Sequence, residues 1–325
     1  MSNPLQTARR PLAPQRAPYD DALVREVLSG LRGAPKTLPP KLFYYEAGAK
    51  LFEEICQLDE YYLTRTELAI LRACVGELAE LVGPRAALVE YGSGAGEKVR
   101  LLLDTLREPA AYVPIDISSE QLSRVSADLR ALYPSVAVTP ICADYTRPVH
   151  LPTAPWGMRR VAFFPGSTIG NFHPAEAAAF LSRMRRSVGP SGALILGVDR
   201  RKDERTLNAA YDDAKGVTAA FNLNLLRRLN RDLDADFDLG AFRHRAFFNS
   251  PASRIEMHLE SARDQIVRVA DHHLWFVKHE TIWTESSYKY DDDGFATLVV
   301  AAGFRLVRRW TDERQRFWIA FLEAS

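Results

Sequence analysis

The chain has 325 residues, 47% of them apolar, which suffices to bury a full core and build one large domain or two smaller ones; a disordered class is excluded. Its 42 basic and 41 acidic side chains leave a net charge of +1, and the basic pairs are scattered along the chain, so no nucleic-acid partner is expected. Three cysteines, Cys56, Cys74 and Cys142, match no metal spacing and point to a reducing compartment; with no signal-peptide core and no long apolar run, the expectation is a soluble cytoplasmic protein without a membrane partner.

Residues 1–18 carry Pro4, Pro11, Pro14 and Pro18 among polar and basic residues, a composition that predicts a disordered tail. From Asp20 to Leu31 the apolar positions Leu23, Val24, Val27, Leu28 and Leu31 follow a helical period, and Gly30 with Gly33 supplies a stop. After the Pro39-Pro40 break, Leu51, Phe52, Ile55 and Leu58 mark a second helix, and Leu68, Leu71, Val75, Leu78 and Leu81 a third that ends at Gly83-Pro84. Thr64 or Thr66 is expected to cap that third helix. Tyrosines such as Tyr44, Tyr61 and Tyr62 fall in the breaks between helices, where a phenol serves either as half-buried packing or as a ligand contact.

Ala86 to Glu97 then reads as a buried strand ending in Glu90, a turn with glycines at 92, 94 and 96, and the start of a helix. Such a turn brings backbone close to a ligand, and a helix N-terminus offers it free N–H groups. The dinucleotide fingerprint requires glycine at 97, where the chain has Glu97. An acid followed by G-x-G-x-G is instead the pattern associated with S-adenosylmethionine (SAM) in Rossmann-like folds. The next strand, 111–116, ends at Asp116, placed for a ribose diol; the third, 136–143, leads to Asp144, placed for an adenine amino group.

Strands near 86–91, 111–116, 136–143, 159–165 and 192–199 alternate with helices near 97–107, 119–131 and 174–187, which predicts a parallel sheet covered on both faces with ligands at the strands' carboxyl ends. The fourth strand runs into Pro165-Gly-Ser-Thr-Ile-Gly-Asn171, a loop at that same edge. It is either an ordinary turn or a second set of hydrogen-bonding groups beside the cofactor. After Asp199 the alternation stops: a helical pattern from Val217 to Leu229 and partly alternating stretches at 254–260 and 264–285 predict an inserted domain with a small antiparallel sheet. A helix near 292–302 and strands 304–311 and 316–322 close the chain as a class I methyltransferase closes its seven-stranded sheet. The fold class expected is thus α/β, a Rossmann-like SAM methyltransferase sheet plus a second α+β domain built from the N-terminal helices and the insertion. The expected boundaries are 19–64 with 200–287 for the second domain and 65–199 with 288–325 for the first.

The segments Tyr91-Gly-Ser-Gly-Ala-Gly-Glu-Lys98, Pro165-Gly-Ser-Thr-Ile-Gly-Asn171, Ala210-Tyr-Asp-Asp-Ala-Lys-Gly-Val-Thr-Ala219, Asn230-Arg-Asp-Leu-Asp-Ala-Asp-Phe237, Arg254-Ile-Glu-Met-His258 and Thr284-Glu-Ser-Ser-Tyr-Lys289 occur in this order. Together they give a chain that resembles, from about Leu38 onward, the histidine-specific α-N-methyltransferases of ergothioneine biosynthesis, which make hercynine, the trimethylbetaine of histidine. The resemblance implies SAM contacts at Gly92, Lys98, Asp116, Asp144 and Tyr145. It implies that Tyr61, Asn171 and Tyr211 hold the amino acid's carboxylate and amine, with Tyr44 and the Gly166 backbone close to the amine. It further implies that Glu285 and Ser287 grip the imidazole and that Met257 walls the pocket. Leu63, Tyr45 and Ala95-Gly96 depart from the residues common in the family at those places.

The chemistry fits these residue types. Methyl transfer to an amine needs a neutral nitrogen held in line with the methyl carbon, so positioning carries most of the rate. Burial lowers an ammonium's proton affinity, and no strong base is obligatory. The substrate expected is a small molecule, L-histidine, handled by a monomer; no metal is expected, the histidines lying in no ligand spacing. Methylation of another amino acid or small amine is the competing enzymatic reading, and a binding module that kept the SAM pocket without turnover is the non-enzymatic one.

Overall fold

The computed structural model describes residues 20–152 and 158–325, so the tail expected at 1–18 lies outside the described residues. In chain order the elements are α1 (Asp21–Leu31), β1 (Lys36–Thr37), α2 (Glu46–Ile55), α3 (Leu63–Val82), β2 (Ala87–Tyr91), α4 (Glu97–Thr105), β3 (Ala111–Asp116) and α5 (Ser119–Leu132). They continue with β4 (Ala137–Val138), β5 (Ile141–Cys142), β6 (Arg160–Phe164), α6 (Pro174–Val188), β7 (Ala193–Asp199), α7 (Glu204–Tyr211), α8 (Val217–Asp232), β8 (Phe242–Asn249) and β9 (Arg254–Ser261). The last are β10 (Gln265–Val269), β11 (His272–Phe276), β12 (Thr281–Tyr288), α9 (Asp292–Ala301), β13 (Phe304–Thr311) and β14 (Phe317–Ala324).

The main sheet has the order β13-β14-β7-β6-β2-β3-β4, with β5 also paired to β3. All its pairings are parallel except those of β14, which runs antiparallel between β7 and β13. This is the class I methyltransferase sheet, its third strand broken into β4 and β5 instead of running continuously over 136–143. From β2 the chain steps outward to β3 and β4, then returns to the other side of β2 as β6. The strand order therefore reverses between β2 and β6, and the loops leaving those two strands diverge there to leave a crevice. Helices cover both faces: α3, α4 and α5 pack one core, α6 and α9 the other.

A second sheet has the order β1-β12-β9-β8, antiparallel except for the short β1, which runs parallel to β12. Its core gathers α1, α2, α7 and α8 together with the start of α3, in one cluster that includes Leu28, Phe43, Tyr61, Tyr211, Phe221, Met257 and Phe276. Helix α3 thus begins in one core and continues into the other. It starts two residues earlier than a threonine cap allows: Tyr62 occupies the N-cap without a side-chain bond, while Thr64 and Thr66 lie inside the helix. The Tyr62 hydroxyl is instead bound to buried Asp199 at the end of β7, so a tertiary contact sets the start. Among the described residues no helix is long and apolar enough to cross a membrane.

Candidate active site

A cavity of about 650 Å³ opens at the β2/β6 reversal, within the range of small-molecule sites. Its walls include Gly92, Lys98, Asp116, Asp144 and Tyr145, and also Tyr44, Tyr61, Gly166 and Asn171, so the positions expected at the cofactor and four of those expected at the substrate share one space.

The side expected to take the cofactor is shaped by backbone. Gly92, Gly94 and Gly96 have φ of +78°, +49° and +73°, values that L side chains rarely adopt. A Cβ at Gly96 would lie 2.7 Å from Val125 Cγ1, so the turn can sit on α5 only as glycine. Asp116 braces this turn: its carboxylate accepts the Gly94 N–H at 3.2 Å and the Ser118 N–H at 3.0 Å. Tyr145 faces Gly92, its ring 3.6 Å from where a Cβ would be. Asp144 accepts from Thr146 N–H at 3.0 Å and from Lys41 Nζ at 3.1 Å; Lys41 also pairs with Glu26 at 2.8 Å, so α1 and the segment after it are strapped to the cavity rim. Open backbone, two carboxylates and an aromatic ring fit a nucleoside-bearing cofactor.

Lys98 reaches into the cavity wall, but its ammonium pairs with Glu67 at 2.5 Å. Glu67, on α3 and only 1% exposed, also accepts the Gly166 N–H at 2.9 Å. The amide N–H of Gly166 is therefore engaged within the protein. Nearby Glu90 accepts a hydrogen bond from the Tyr112 hydroxyl, and burial pushes its carboxyl up to about 8.

The other four positions expected at the substrate, Tyr211, Met257, Glu285 and Ser287, are buried and are not among the residues that line the cavity. Glu285 and Met257 are directly opposite on the β9–β12 ladder, next to an irregularity between Trp283 and Glu285 that re-aims the strand. Glu285 is 9% exposed, and its carboxylate accepts no hydrogen bond from any described residue. Burial pushes its carboxyl up to about 7, with Lys289 pulling the other way. Tyr211 and Ser287 touch, hydroxyl to hydroxyl, at 2.8 Å, and the Tyr211 ring meets that of Tyr61 edge-on at 6.0 Å. Tyr44 and Tyr61 phenols are raised by burial and by the charge of Glu285 among others. Their hydroxyls, that of Tyr145 and the Asn171 amide have no hydrogen-bond partner among the described residues.

Sequence reasoning missed several groups here. Lys289 bonds Tyr211 and Ser287 and pairs with Asp199, which is bound as well by Lys202 and Tyr62. Lys289 stands inside the 284–289 segment two residues after Ser287, and that spacing was the available signal; Glu67, Asp199 and Lys202 offered none.

The profile of a protein family described as "Histidine-specific methyltransferase, SAM-dependent" matches residues 23–324. The chain is 43% identical over 305 residues to the histidine N-alpha-methyltransferase of Mycolicibacterium smegmatis, covering 92% of this chain and 94% of that protein. The histidine N-alpha-methyltransferase of Mycobacterium tuberculosis gives the same identity, 43%, and the same coverage, 92% and 94%. Ergothioneine biosynthesis protein 1 of Neurospora crassa is 30% identical over 318 residues, which cover 91% of this chain and 34% of that longer protein.

Proposed function

The chain belongs to the family of SAM-dependent, histidine-specific methyltransferases, and from that premise we propose that it transfers three methyl groups to the α-amine of L-histidine, giving hercynine in the first step of ergothioneine biosynthesis. S-adenosylmethionine supplies the methyl group as a sulfonium substituent. In this reading Gly92, Lys98, Asp116, Asp144 and Tyr145 hold the cofactor, Lys98 doing so from its pairing with Glu67. The amino acid is carried by Tyr61, Asn171 and Tyr211, with Tyr44 and the Gly166 carbonyl at the amine and Met257, Glu285 and Ser287 at the side chain.

The observation that carries the substrate assignment is Glu285. A buried carboxylate without a donor is costly in the empty protein, and a ligand bearing a ring N–H removes that cost. An amino acid without such a group leaves the acid unpaired, a penalty of roughly 1–3 kcal/mol that becomes discrimination. At the other end, transfer from water into a pocket walled by Tyr44 and Tyr61 lowers the proton affinity of the α-ammonium, so the amine is neutral when aligned. As methyls are added the nitrogen becomes a fixed cation, which the faces of those rings favour. We further propose that 19–64 with 200–287 forms the substrate-binding unit and 65–199 with 288–325 the SAM-binding unit, so that the ligands meet at the seam of the two.

The test is isothermal titration of histidine into protein saturated with S-adenosylhomocysteine, with tryptophan, phenylalanine and glutamine as controls, followed by mass spectrometry of the product. Heat from histidine alone and a mass gain of three methyl groups are expected. Heat from another amino acid and none from histidine refutes the substrate assignment.

A further inference from the structure

Asp199 is fully buried and already has a sufficient counterion: Lys202 Nζ lies 2.6 Å from one carboxylate oxygen, and the Tyr62 hydroxyl donates to the other at 2.7 Å. The fold nevertheless buries a second ammonium, Lys289, whose side chain is 0% exposed, 2.9 Å from the same carboxylate. Burying a charge that neutrality does not require is expensive. What Lys289 adds is on its other side, where it donates to Tyr211 Oη at 2.9 Å and to Ser287 Oγ at 2.9 Å. Its three donors are then all used.

We infer that Lys289 is a positioning residue that sets the polarity of the Tyr211–Ser287 hydroxyl pair, so that Ser287 turns its O–H toward the ligand and the site accepts an imidazole with one unprotonated ring nitrogen. The inference rests on the substrate reading above. Lys289 takes one lone pair from each hydroxyl oxygen, and the 2.8 Å contact between them takes one proton and one further lone pair. A phenol is the better donor and an aliphatic hydroxyl the better acceptor, and the adjacent ammonium strengthens the phenol further. Tyr211 therefore donates to Ser287. Both lone pairs of Ser287 are then filled, and its own proton, with no other acceptor among the described residues, is left for a ligand. Tyr211 keeps one lone pair, which in the substrate reading goes to an N–H of the α-amine and not to the ring. Glu285, two residues before Ser287 on the same face of β12, has no donor when ionised and can only accept. One donor beside one acceptor matches a neutral imidazole and mismatches an imidazolium, which has two N–H groups and no lone pair.

The test combines a mutant cycle with a spectroscopic readout on the unaltered protein. Ser287→Ala is expected to raise the histidine KM on the order of tenfold, and Lys289→Met to do the same, each with a smaller change in kcat and with S-adenosylhomocysteine affinity within about twofold. Because Lys289 acts through Ser287, adding Lys289→Met to Ser287→Ala is expected to cost no more than about a further twofold. In wild-type protein with S-adenosylhomocysteine, ring-labelled [15N]histidine should show one protonated and one unprotonated nitrogen. Multiplying effects in the double variant, an unchanged KM in Lys289→Met, or two protonated ring nitrogens overturns the inference while leaving histidine as substrate. Absence of histidine binding to the wild type overturns the substrate reading and this inference with it. Should Lys289→Met not fold, the nitrogen spectrum alone decides.

Discussion

Glu67 stands where a side chain at Gly197 would be: a Cβ built on Gly197 falls 2.1 Å from Glu67 Oε1. A glycine in the middle of β7 weakens a strand, and here it leaves the space in which a carboxylate from α3 grips the Gly166 amide and Lys98. Gly197→Ala should therefore evict Glu67 and act like its deletion, costing ~3 kcal/mol and most of the turnover. In the double variant with Glu67→Ala the overlap is gone, so urea denaturation should show a loss well short of the sum of the two. Strict additivity would sever the link.

Glu285 makes a prediction that separates stability from binding. Its carboxyl has an ordinary value of 4.5 and is pushed up to about 7 in the folded chain by burial. The folded state holds the proton more tightly than the unfolded one, so the stability this residue contributes is complete below about pH 4.5 and is lost as pH rises through about 7. Glu285→Gln cannot lose it, and the ligand-free variant should melt above wild type at pH 8, by up to roughly 3 kcal/mol, and alongside it at pH 4.5. Histidine affinity should run the other way, rising with pH in wild type as the carboxylate forms and staying low in Glu285→Gln and Glu285→Ala. Coincident melting at pH 8 would refute the first part, and equal loss of histidine and S-adenosylhomocysteine binding the second.

Tyr44 and Tyr61 line the cavity, and their hydroxyls have no hydrogen-bond partner among the described residues. Removing them breaks nothing in the empty protein, so Tyr44→Phe and Tyr61→Phe should unfold within about 0.5 kcal/mol of wild type. Both should nevertheless lower kcat/KM for histidine about tenfold, since each loses a hydrogen bond made only to ligand. A large drop in melting temperature would mean that the phenols serve packing instead.

Asp144 and Lys41 tie the cavity rim to α1 through Glu26. Asp144→Ala should weaken S-adenosylhomocysteine about tenfold while histidine binding to the saturated complex stays within about twofold. Lys41→Met leaves Glu26 and Asp144 without their shared cation, and its smaller loss should be partly recovered by salt. Titration of the two ligands separately checks both.

The main sheet was legible because its signals are local: apolar runs, turns and helix periods in alternation, with boundaries met to within a few residues at β2, β3, β6 and β7. The glycine turn, the acid that ends β3 and the acid that follows β5 were legible for the same reason. Strand β8 was not, since Arg243, His244 and Arg245 interrupt any alternation and the strand lies at a sheet edge. Helix α7 is short and polar; its one cue was Asp203, whose carboxylate accepts the Thr206 N–H. The caps proposed at Thr64 and Thr66 failed because a contact with Asp199, 137 positions away, decides where α3 begins. Glu67 was out of reach on the same grounds, its bond to Gly166 spanning 99 positions. Pattern reading finds what a segment does for itself and misses what a distant segment does to it.

The two-residue strand β1 has a consequence for recombination. Lys36 and Thr37 pair with Ile282 and Trp283, Leu38 donates to the Trp283 carbonyl at 3.0 Å, and Phe43 stacks on Phe221 at 4.5 Å. The stretch before the main sheet and the stretch inserted between its strands β7 and β13 are thus one fabric woven from two threads. A chimera that imports only the insertion from a relative would inherit half of a weave, with a foreign edge where β1 must lie. Exchange of pocket preference between such proteins should succeed when both threads travel together, or when single residues of β9 and β12 change in place.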